Sequence, residues 1–251
     1  LSGISYDLPV KGFINRPNRL ILDKIVPLLP ETGSVLEVGA GGSLWLPYLA
    51  SQYPGKNFIG LDYSQSGCER LRESLEKKSL KVDVVSADMF DPPKHLLEEM
   101  GLVLSFGVVE HFSNLSVALT ALRRFISNKG TIFTIIPNMS GVLGTLTKHF
   151  DRSVYDIHFP HDLNSFIAGH REAGLEVCEA GYLCSSNFGV LSSAVPSSGV
   201  RFEIYKLLSR LSKLGWFFEE HFFSLPATQY FSPFIYCIAR LGVEDFDKCE
   251  F

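Results

Sequence analysis

The sequence predicts an α/β protein with one mostly parallel sheet that is covered by helices on both faces. Short apolar runs rich in Val, Ile, Leu and Phe alternate with longer amphipathic runs through the first two-thirds of the chain. This alternation is typical of right-handed strand–helix–strand crossovers. The strand-like runs are apolar almost throughout, as expected of strands buried on both faces. The chain has 251 residues, 46% of them hydrophobic, which is enough for one large core.

Seven segments have the length and composition of strands and are flanked by Gly, Pro or Asp. They are residues 34–39, 57–62, 82–87, 102–107, 131–136, 175–183 and 234–241. Apolar residues at helical spacing predict helices before and between them. These are residues 18–29, 44–52, 65–78, 92–100, 114–127, 141–149, 161–173 and 201–223, with Gly174 as a C-cap.

We expect residues 1–251 to form a single domain with two additions to the sheet and its helices. Residues 1–30 are predicted to form an N-terminal helical lid. Residues 184–232 are predicted to form a helical insertion before the last strand.

Composition argues against several classes of function. The 23 Lys and Arg against 27 Asp and Glu give a net charge of −4, whereas nucleic-acid-binding surfaces are usually basic. The five cysteines include no C-x-x-C pair of the kind found in zinc knuckles and redox motifs. No apolar run is long enough for a membrane span, and the first residues lack a signal-peptide pattern. Widely spaced, reduced thiols then favour a cytoplasmic location.

The most informative segment is a glycine-rich turn after the first strand, at residues 35–43. Gly39 and Gly41 permit a tight turn and a close approach of a ligand to the backbone. Ligands bind at this end of an open parallel sheet. A dinucleotide fingerprint would need a third glycine at the position of Leu44. Glu37, just before the turn, suits a cationic or hydroxyl-bearing ligand better than a diphosphate.

Two more acidic residues follow the next strands. Asp62 ends the second strand, 21 residues after Gly41, where a carboxylate can accept both hydroxyls of a ribose. Asp88 follows the third strand and could pair with an adenine amino group. Each aspartate could instead be a helix cap or a turn residue, but their conjunction with Glu37 and the turn favours a nucleoside site.

With these motifs the chain resembles the class I S-adenosylmethionine-dependent methyltransferases. The resemblance rests on the segments VLEVGAGGS, GLDYS, SADMFD and SFGVVEHFSN, and it extends over about residues 33–180. It implies a Rossmann-like sheet of seven strands with an antiparallel last strand. It also implies S-adenosylmethionine as cofactor, bound over the first four strands.

For the glycine-rich turn, the resemblance implies that Glu37 faces the amino group of the methionine portion. Gly39, Ala40 and Gly41 would lie against the cofactor. The third glycine that is frequent in the family is Ser43 here, a small residue that can cap the following helix.

At the later strand ends, the resemblance implies that Asp62 holds the ribose hydroxyls and that Tyr63 lies beside the adenine. Asp88 and Met89 would contact the adenine as well. Phe106, at the end of the fourth strand, would lie near the methionine portion.

Methyl transfer from a sulfonium is an in-line displacement, so the protein mainly orients two reactants and excludes water. A general base is needed only where the nucleophile holds its proton tightly. The candidate catalytic residues are Glu110, His111 and His158. Glu110 could instead complement the dipole of a first helical turn, and His158 could form loop hydrogen bonds.

The same residues raise the question of a metal ion. Some ubiquinone-biosynthesis O-methyltransferases, which this segment resembles, hold a metal with a Glu-x-x-Glu-His arrangement. Gly107 replaces the first of those glutamates. We therefore expect no metal, although Glu110, His111, His158 and His161 could cluster.

The two additions bear on the acceptor and on partners. The N-terminal segment could cover the cofactor, so that deleting residues 1–16 abolishes activity, or it could be a simple packing helix. Its candidate lid residues are Tyr6, Phe13, Asn15, Arg16 and Arg19. The aromatic-rich helix 201–223 is open to three interpretations. It could be a packing helix or homodimer interface, a hydrophobic roof that implies a partly apolar or aromatic acceptor, or, least expected, a basic amphipathic helix on a membrane.

We therefore predict a methyltransferase that acts on an oxygen or nitrogen of a small-molecule acceptor, without a nucleic-acid partner. Residues 105–108 read SFGV, in place of the N/D-P-P-Y/F tetrad of amino-methylating DNA and protein-glutamine enzymes. Three alternatives stay open. They are a nicotinamide-dependent reductase, an S-adenosylmethionine-binding enzyme of other chemistry, and a non-enzymatic binding module of the same fold.

Overall fold

The structure, a computed structural model, describes residues 7–242. Tyr6 of the predicted lid and Cys249 lie outside the described residues. The strands are β1 (Ser34–Val38), β2 (Asn57–Asp62), β3 (Asp83–Ser86), β4 (Met100–Phe106), β5 (Ile126–Pro137), β6 (Leu175–Leu183) and β7 (Phe234–Leu241). The α-helices are α1 (Arg16–Ile25), α2 (Trp45–Gln52), α3 (Gln65–Lys77), α4 (Leu115–Arg123), α5 (Val142–Phe150), α6 (Arg152–Asp156), α7 (Leu163–Glu172) and α8 (Val200–His221).

The strands form one sheet in the order β3-β2-β1-β4-β5-β7-β6. β1 pairs in parallel with β2 and β4, and the parallel pairing continues outward to β3 and β5. β7 is antiparallel to both of its neighbours, β5 and β6. The predicted mostly parallel sheet of seven strands with an antiparallel last strand is therefore confirmed. The order of strand addition reverses between β1 and β4, because β2 and β3 extend the sheet to one side of β1 and β4 and β5 to the other, and a ligand crevice forms at such a point.

Two hydrophobic layers cover the sheet, one on each face. On one face, α4 and α7 contribute Leu119, Leu122 and Phe166 to a core that includes strand residues such as Val103. On the other face, α1, α2 and α3 contribute residues such as Leu46 to a second core. Every strand of the parallel part therefore has apolar residues on both sides, which explains its nearly continuous hydrophobic sequence.

The predicted helix at residues 92–100 is wrong. Only a short 3₁₀ turn, Lys94–Leu96, forms there. The segment begins with two prolines, which cannot donate backbone hydrogen bonds, and Glu98 has a positive φ of 61°. The buried Leu96 anchors the turn, and the chain then enters β4 at Met100, earlier than expected.

The predicted insertion lies between β6 and β7. A 3₁₀ segment, Phe188–Ala194, precedes α8. Leu143, Phe150, Leu191 and Ala194 form a small separate core under these elements. No helix within residues 7–242 combines the length and apolarity needed to cross a membrane.

Candidate active site

A cavity of about 490 Å³ opens at the carboxyl ends of β1, β2, β3 and β4. Parallel strands all end at the same edge, so residues far apart in sequence meet there. The lining residues are Val38, Gly39, Leu61, Asp62, Tyr63, Ala87, Asp88, Met89, Phe90, Phe106, Gly107, Val108, His111 and Phe112. Two carboxylates thus face an otherwise largely apolar space, which is the usual composition of a small-molecule site.

The glycine-rich turn after β1 permits only glycine at two positions. Gly39 has a φ of 82°, and a Cβ there would lie 2.4 Å from Cγ2 of Val108. A Cβ on Gly41 would lie 2.8 Å from Oδ2 of Asp62 and 2.8 Å from Cα of Gly67. The turn is therefore pressed against α3 on one side and against the loop after β4 on the other.

Asp62 organises this edge of the sheet with both carboxylate oxygens. The backbone N–H of Gly41 donates to Oδ2 at 2.7 Å, and the backbone N–H of Ser64 donates to Oδ1 at 2.8 Å. A carboxylate offers about four acceptor sites, so each oxygen can accept one more hydrogen bond from the cavity. Tyr63 beside it is 85% exposed, and its ring forms part of the rim.

The loop after β3 supplies the other side of the cavity. The carboxylate of Asp88 accepts a hydrogen bond from the backbone N–H of Phe90 at 2.9 Å. Met89 is buried, where it joins the core under the cavity floor. The ring of Phe90 makes an edge-to-face contact with Phe112, with centroids 5.6 Å apart.

A second cavity of about 550 Å³ adjoins the first at Gly39 and Phe106, which line both. Its lining residues are Leu8, Pro9, Asn18, Glu37, Gly39, Gly42, Ser43, Leu44, Trp45 and Phe106. The rings of Trp45 and Phe106 stack with centroids 5.0 Å apart and an interplanar angle of 6°. The N-terminal segment thus forms one wall of this cavity.

Glu37 is almost fully buried at the second cavity. Burial raises the pKa of its carboxyl to about 8, although hydrogen bonds from Ser43 and from the backbone of Leu46 act in the opposite direction. A cationic group brought into the cavity would favour the ionised form of this carboxyl. Glu37 is therefore suited to bind an amino group.

Ser43 connects Glu37 to the start of α2. Its hydroxyl donates to Oε2 of Glu37 at 2.8 Å. Oγ of Ser43 also accepts hydrogen bonds from the backbone N–H groups of Trp45 at 3.0 Å and of Leu46 at 3.1 Å. The residue that departs from the family's frequent glycine thus caps the helix and orients the acid.

Two predicted contact residues of the turn lie below the surface. Ala40 is completely buried and packs among the core residues behind the turn. Gly41 is also buried, and its backbone N–H is directed at Asp62. Neither residue lines either of the two cavities. They support the site from beneath.

The three candidate catalytic residues lie together at the edge of the first cavity. One ligand-type atom from each of Glu110, His111 and His158 lies within 4.8 Å of the other two. The rings of His111 and His158 have centroids 4.8 Å apart. His111 is the member of the group that lines the cavity.

Both imidazoles are held by backbone carbonyls. Nδ1 of His111 lies 2.8 Å from the oxygen of Ile157, and Nδ1 of His158 lies 2.7 Å from that of Val154. A carbonyl oxygen only accepts, so each Nδ1 carries the hydrogen and Nε2 has a free lone pair when the ring is neutral. Burial lowers the pKa of His158, and the nearby His111 contributes to the same shift.

Glu110 is buried, and its Oε2 has no hydrogen-bond partner among the described residues. Burial raises the pKa of this carboxyl to about 8. His161, the fourth residue of the predicted cluster, instead has Nε2 3.1 Å from the backbone oxygen of Phe112. It braces the loop beside the site.

Several aromatic lining residues were not anticipated from the sequence. Trp45 lies at the start of α2, and Phe90 and Phe112 lie in the loops after β3 and β4, where the predicted site residues were mainly polar ones. A signal was available, because each stands within a few residues of the carboxyl end of a strand. Their ring contacts depend on loop conformation and could not be read from spacing.

Comparisons with known proteins agree with this geometry. Residues 35–130 match the sequence profile of a family described as "Methyltransferase domain". No match to a curated protein was found.

Solved structures share the fold at low sequence identity. Geranyl diphosphate C-methyltransferase from Streptomyces coelicolor A3(2), solved with Mg²⁺, geranyl diphosphate and S-adenosyl-L-homocysteine, is 11% identical. The match covers 90% of this chain and 80% of that one, with a TM-score of 0.60. An S-adenosylmethionine-dependent methyltransferase from Clostridium acetobutylicum ATCC 824 is 10% identical, with 91% and 92% covered and a TM-score of 0.59.

A third structure contains a putative methyltransferase in complex with the Trm112 activator of Haloferax volcanii. It is 14% identical, with 92% of both chains covered and a TM-score of 0.57. The strand order and the solved neighbours show that the chain has the Rossmann-like methyltransferase fold, and within it residues 35–130 match the methyltransferase-domain family.

Proposed function

We propose that this protein binds S-adenosylmethionine across the two adjoining cavities and methylates an oxygen or nitrogen of a small-molecule acceptor. The observation that carries the proposal is the position of three acids around one glycine turn. Asp62 and Asp88 face the first cavity, and Glu37 faces the second one. The nucleoside occupies the first space and the methionine portion the second.

The residues at the site fit this cofactor. Asp62 has unused acceptor capacity at both oxygens, which matches the two hydroxyls of a ribose. The buried carboxyl of Glu37 matches a cationic amino group. Gly39 lines both cavities, and without a side chain it lets a ligand approach the backbone closely.

S-adenosylmethionine supplies a methyl group on a sulfonium, which is already activated toward a nucleophile. The work left to the chain is therefore orientation and exclusion of water. The stacked rings of Trp45 and Phe106 stand where the two cavities meet. They would fix the boundary between the nucleoside and the methionine portion.

Glu110, His111 and His158 are proposed to handle the proton of the acceptor. His111 reaches the cavity wall with a free Nε2, and His158 and Glu110 lie directly behind it. A neutral imidazole can accept a proton from a hydroxyl or a protonated amine. The adjacent carboxyl can balance the positive charge that the imidazole then acquires.

The acceptor is proposed to be partly apolar or aromatic. Phe90 and Phe112 form an apolar wall next to His111. The Streptomyces neighbour carries geranyl diphosphate, an apolar chain on a charged group, and is a C-methyltransferase. The atom that is methylated therefore has to be identified directly.

We propose that no metal takes part, in spite of the proximity of Glu110, His111 and His158. Gly107 stands where the ubiquinone-type arrangement has its first glutamate. The Nε2 atoms that could bind a metal are also the atoms that the proposed proton transfer needs. Elemental analysis of the purified protein tests this. A stoichiometric divalent metal that is lost in Glu110→Gln would overturn it.

Calorimetric titration with S-adenosylmethionine and S-adenosylhomocysteine tests the proposed function, with NADH as the control ligand. We expect binding of both sulfur compounds and none of NADH. Incubation with methyl-labelled cofactor and a metabolite extract, followed by mass spectrometry, would then identify the acceptor and its methylated atom. Absence of binding to both sulfur compounds would refute the proposal.

A further inference from the structure

The helix α8 is oriented with its apolar side away from the protein. Six large hydrophobic side chains on it are between 40% and 76% exposed. They are Val200, Ile204, Leu207, Leu211, Leu214 and Phe218. Their spacing alternates four and three residues, so they form one continuous stripe along the helix. We name this stripe the outer face of α8.

The opposite side of α8 is fixed to the protein largely through polar contacts. The indole N–H of Trp216 donates to the backbone oxygen of Ser186 at 2.8 Å. The hydroxyl of Ser212 accepts from the backbone N–H of Phe188 at 3.0 Å. Glu219 is buried, accepts from Ser185 at 2.8 Å and is 3.6 Å from Arg16. These contacts fix the rotation of α8 about its own axis, so that its outer face is turned toward solvent.

The exposed apolar surface continues past the end of the helix. The ring of Phe218 lies 5.9 Å from that of Phe222 and 6.3 Å from that of Phe223. Both of these phenylalanines are more than half exposed. Contiguous exposed patches of this kind mark contact surfaces. A single partner helix would cover the stripe, whereas a flat apolar medium would also cover the aromatic end.

Basic residues accompany this surface although the whole chain is acidic. Lys206, Arg210 and Lys213 follow one another at i, i+4 and i+7 on one side of the outer face, with Lys206 paired to Glu203. Counting α8 with the two arginines of α1 that pair with it gives six basic and three acidic residues, a net charge of 6 − 3 = +3. The chain as a whole has −4.

We propose that the outer face of α8 docks the protein onto an anionic lipid surface. Phenylalanine and leucine side chains on one face with a basic row beside them are the features of a helix that lies in the membrane interface. A second copy of this chain fits less well, because it would bring the same basic row toward its counterpart. The inference does not depend on the proposed catalytic function.

Co-sedimentation of the full chain with vesicles tests the proposal. We expect binding to vesicles of phosphatidylcholine mixed with phosphatidylglycerol, and at least about tenfold weaker binding to phosphatidylcholine alone. Leu207→Glu together with Leu211→Glu should abolish binding. Val117→Glu is the matched control, because Val117 is an equally exposed apolar residue on α4. Arg210→Gln and Lys213→Gln should each weaken binding about fivefold.

Two results would overturn the proposal. One is no binding of the wild-type protein to the anionic vesicles. The other is a wild-type dimer in analytical ultracentrifugation that the double Glu variant converts to a monomer while vesicle binding is unchanged, which would assign the face to a second copy. Thermal unfolding of every variant shows that the chain stays folded, and this control does not depend on cofactor binding, so the test is separate from that of the catalytic proposal.

Discussion

The imidazole rings of His111 and His158 lie 4.8 Å apart, each with Nδ1 against a backbone carbonyl oxygen. The two residues come from the loop after β4 and the loop after α6. In these tautomers Nε2 of each neutral ring carries no hydrogen, and one ligand-type atom of each ring lies within 4.8 Å of a carboxylate oxygen of the buried Glu110. This pairing is the geometric basis for the proposed proton transfer.

Glu110→Gln should lower kcat at least about tenfold and leave the dissociation constant of S-adenosylhomocysteine unchanged. The raised pKa of Glu110, about 8, means that the carboxyl ionises only as the pH rises through that value. We expect the wild-type rate to rise toward pH 8 and the variant to lose this rise. Initial rates over a pH series check it, with the exposed His149→Gln as control. An identical pH profile in the variant would contradict a role for Glu110.

Asp62→Ala should weaken cofactor binding about ten- to a hundredfold, because it removes an acceptor of one or two charged hydrogen bonds. Asp83→Ala is the control, since this exposed aspartate begins β3 at the opposite end of the same sheet layer. Isothermal titration calorimetry with S-adenosylmethionine measures both. Equal dissociation constants for wild type and Asp62→Ala would remove the main support for the site.

Gly41→Ala should destabilise the protein by about 1–3 kcal/mol, because the added Cβ would meet the Asp62 carboxylate and the backbone of Gly67 at 2.8 Å. Gly42→Ala is the matched control, since a Cβ at Gly42 has nothing within 4 Å. Urea unfolding of the two variants gives the difference in the free energy of unfolding. Similar midpoints for the two would show that the turn can relax.

His170 should make the protein sensitive to acid. It is fully buried, with Nδ1 2.7 Å from the oxygen of Phe166 and Nε2 2.8 Å from the hydroxyl of Thr134. Burial lowers its pKa to about 4, below the ordinary 6.5. The neutral ring therefore contributes stability that is full above pH 6.5 and is lost as the pH falls through 4. Over that range His170→Asn should lose less free energy of unfolding than wild type, by up to about 3 kcal/mol. Parallel slopes would disprove it.

Deleting residues 1–12 should weaken cofactor binding and lower the melting temperature by a few degrees, because the buried Leu8 is removed with the segment. Leu8 and Pro9 form a wall of the cavity at Glu37. The longer deletion suggested by the sequence, residues 1–16, would also remove Arg16, which lies 3.6 Å from the buried Glu219. Calorimetry and thermal unfolding separate the two effects. Unchanged affinity in the shorter deletion would mean that the segment is not a lid.

The sequence predicted the sheet well because its strands are short, apolar and separated by clear turns. β2, β6 and β7 have the predicted bounds. The helix predicted at residues 92–100 was wrong because the segment begins with two prolines, although its apolar residues have helical spacing. The carboxylates could be anticipated because parallel strands end at one edge.

What could not be predicted depends on contacts across the chain. His111 and Ile157 are 46 positions apart in the sequence, and no local pattern predicts the contact between them. The stripe on α8 was visible in the sequence as an amphipathic pattern. The sequence did not show whether the stripe faces the protein or the solvent, because this depends on the polar contacts that Ser212, Trp216 and Glu219 make on the other side of the helix.

Trp45 stacks on Phe106 at the junction of the two cavities, so tryptophan fluorescence can report on ligand binding there. The chain has two tryptophans, and Trp216 lies on α8 with its indole hydrogen-bonded to Ser186. In a Trp216→Phe background, emission would come from the indole at the junction alone. Stopped-flow fluorescence of this variant would then give the rate of ligand binding without an added label.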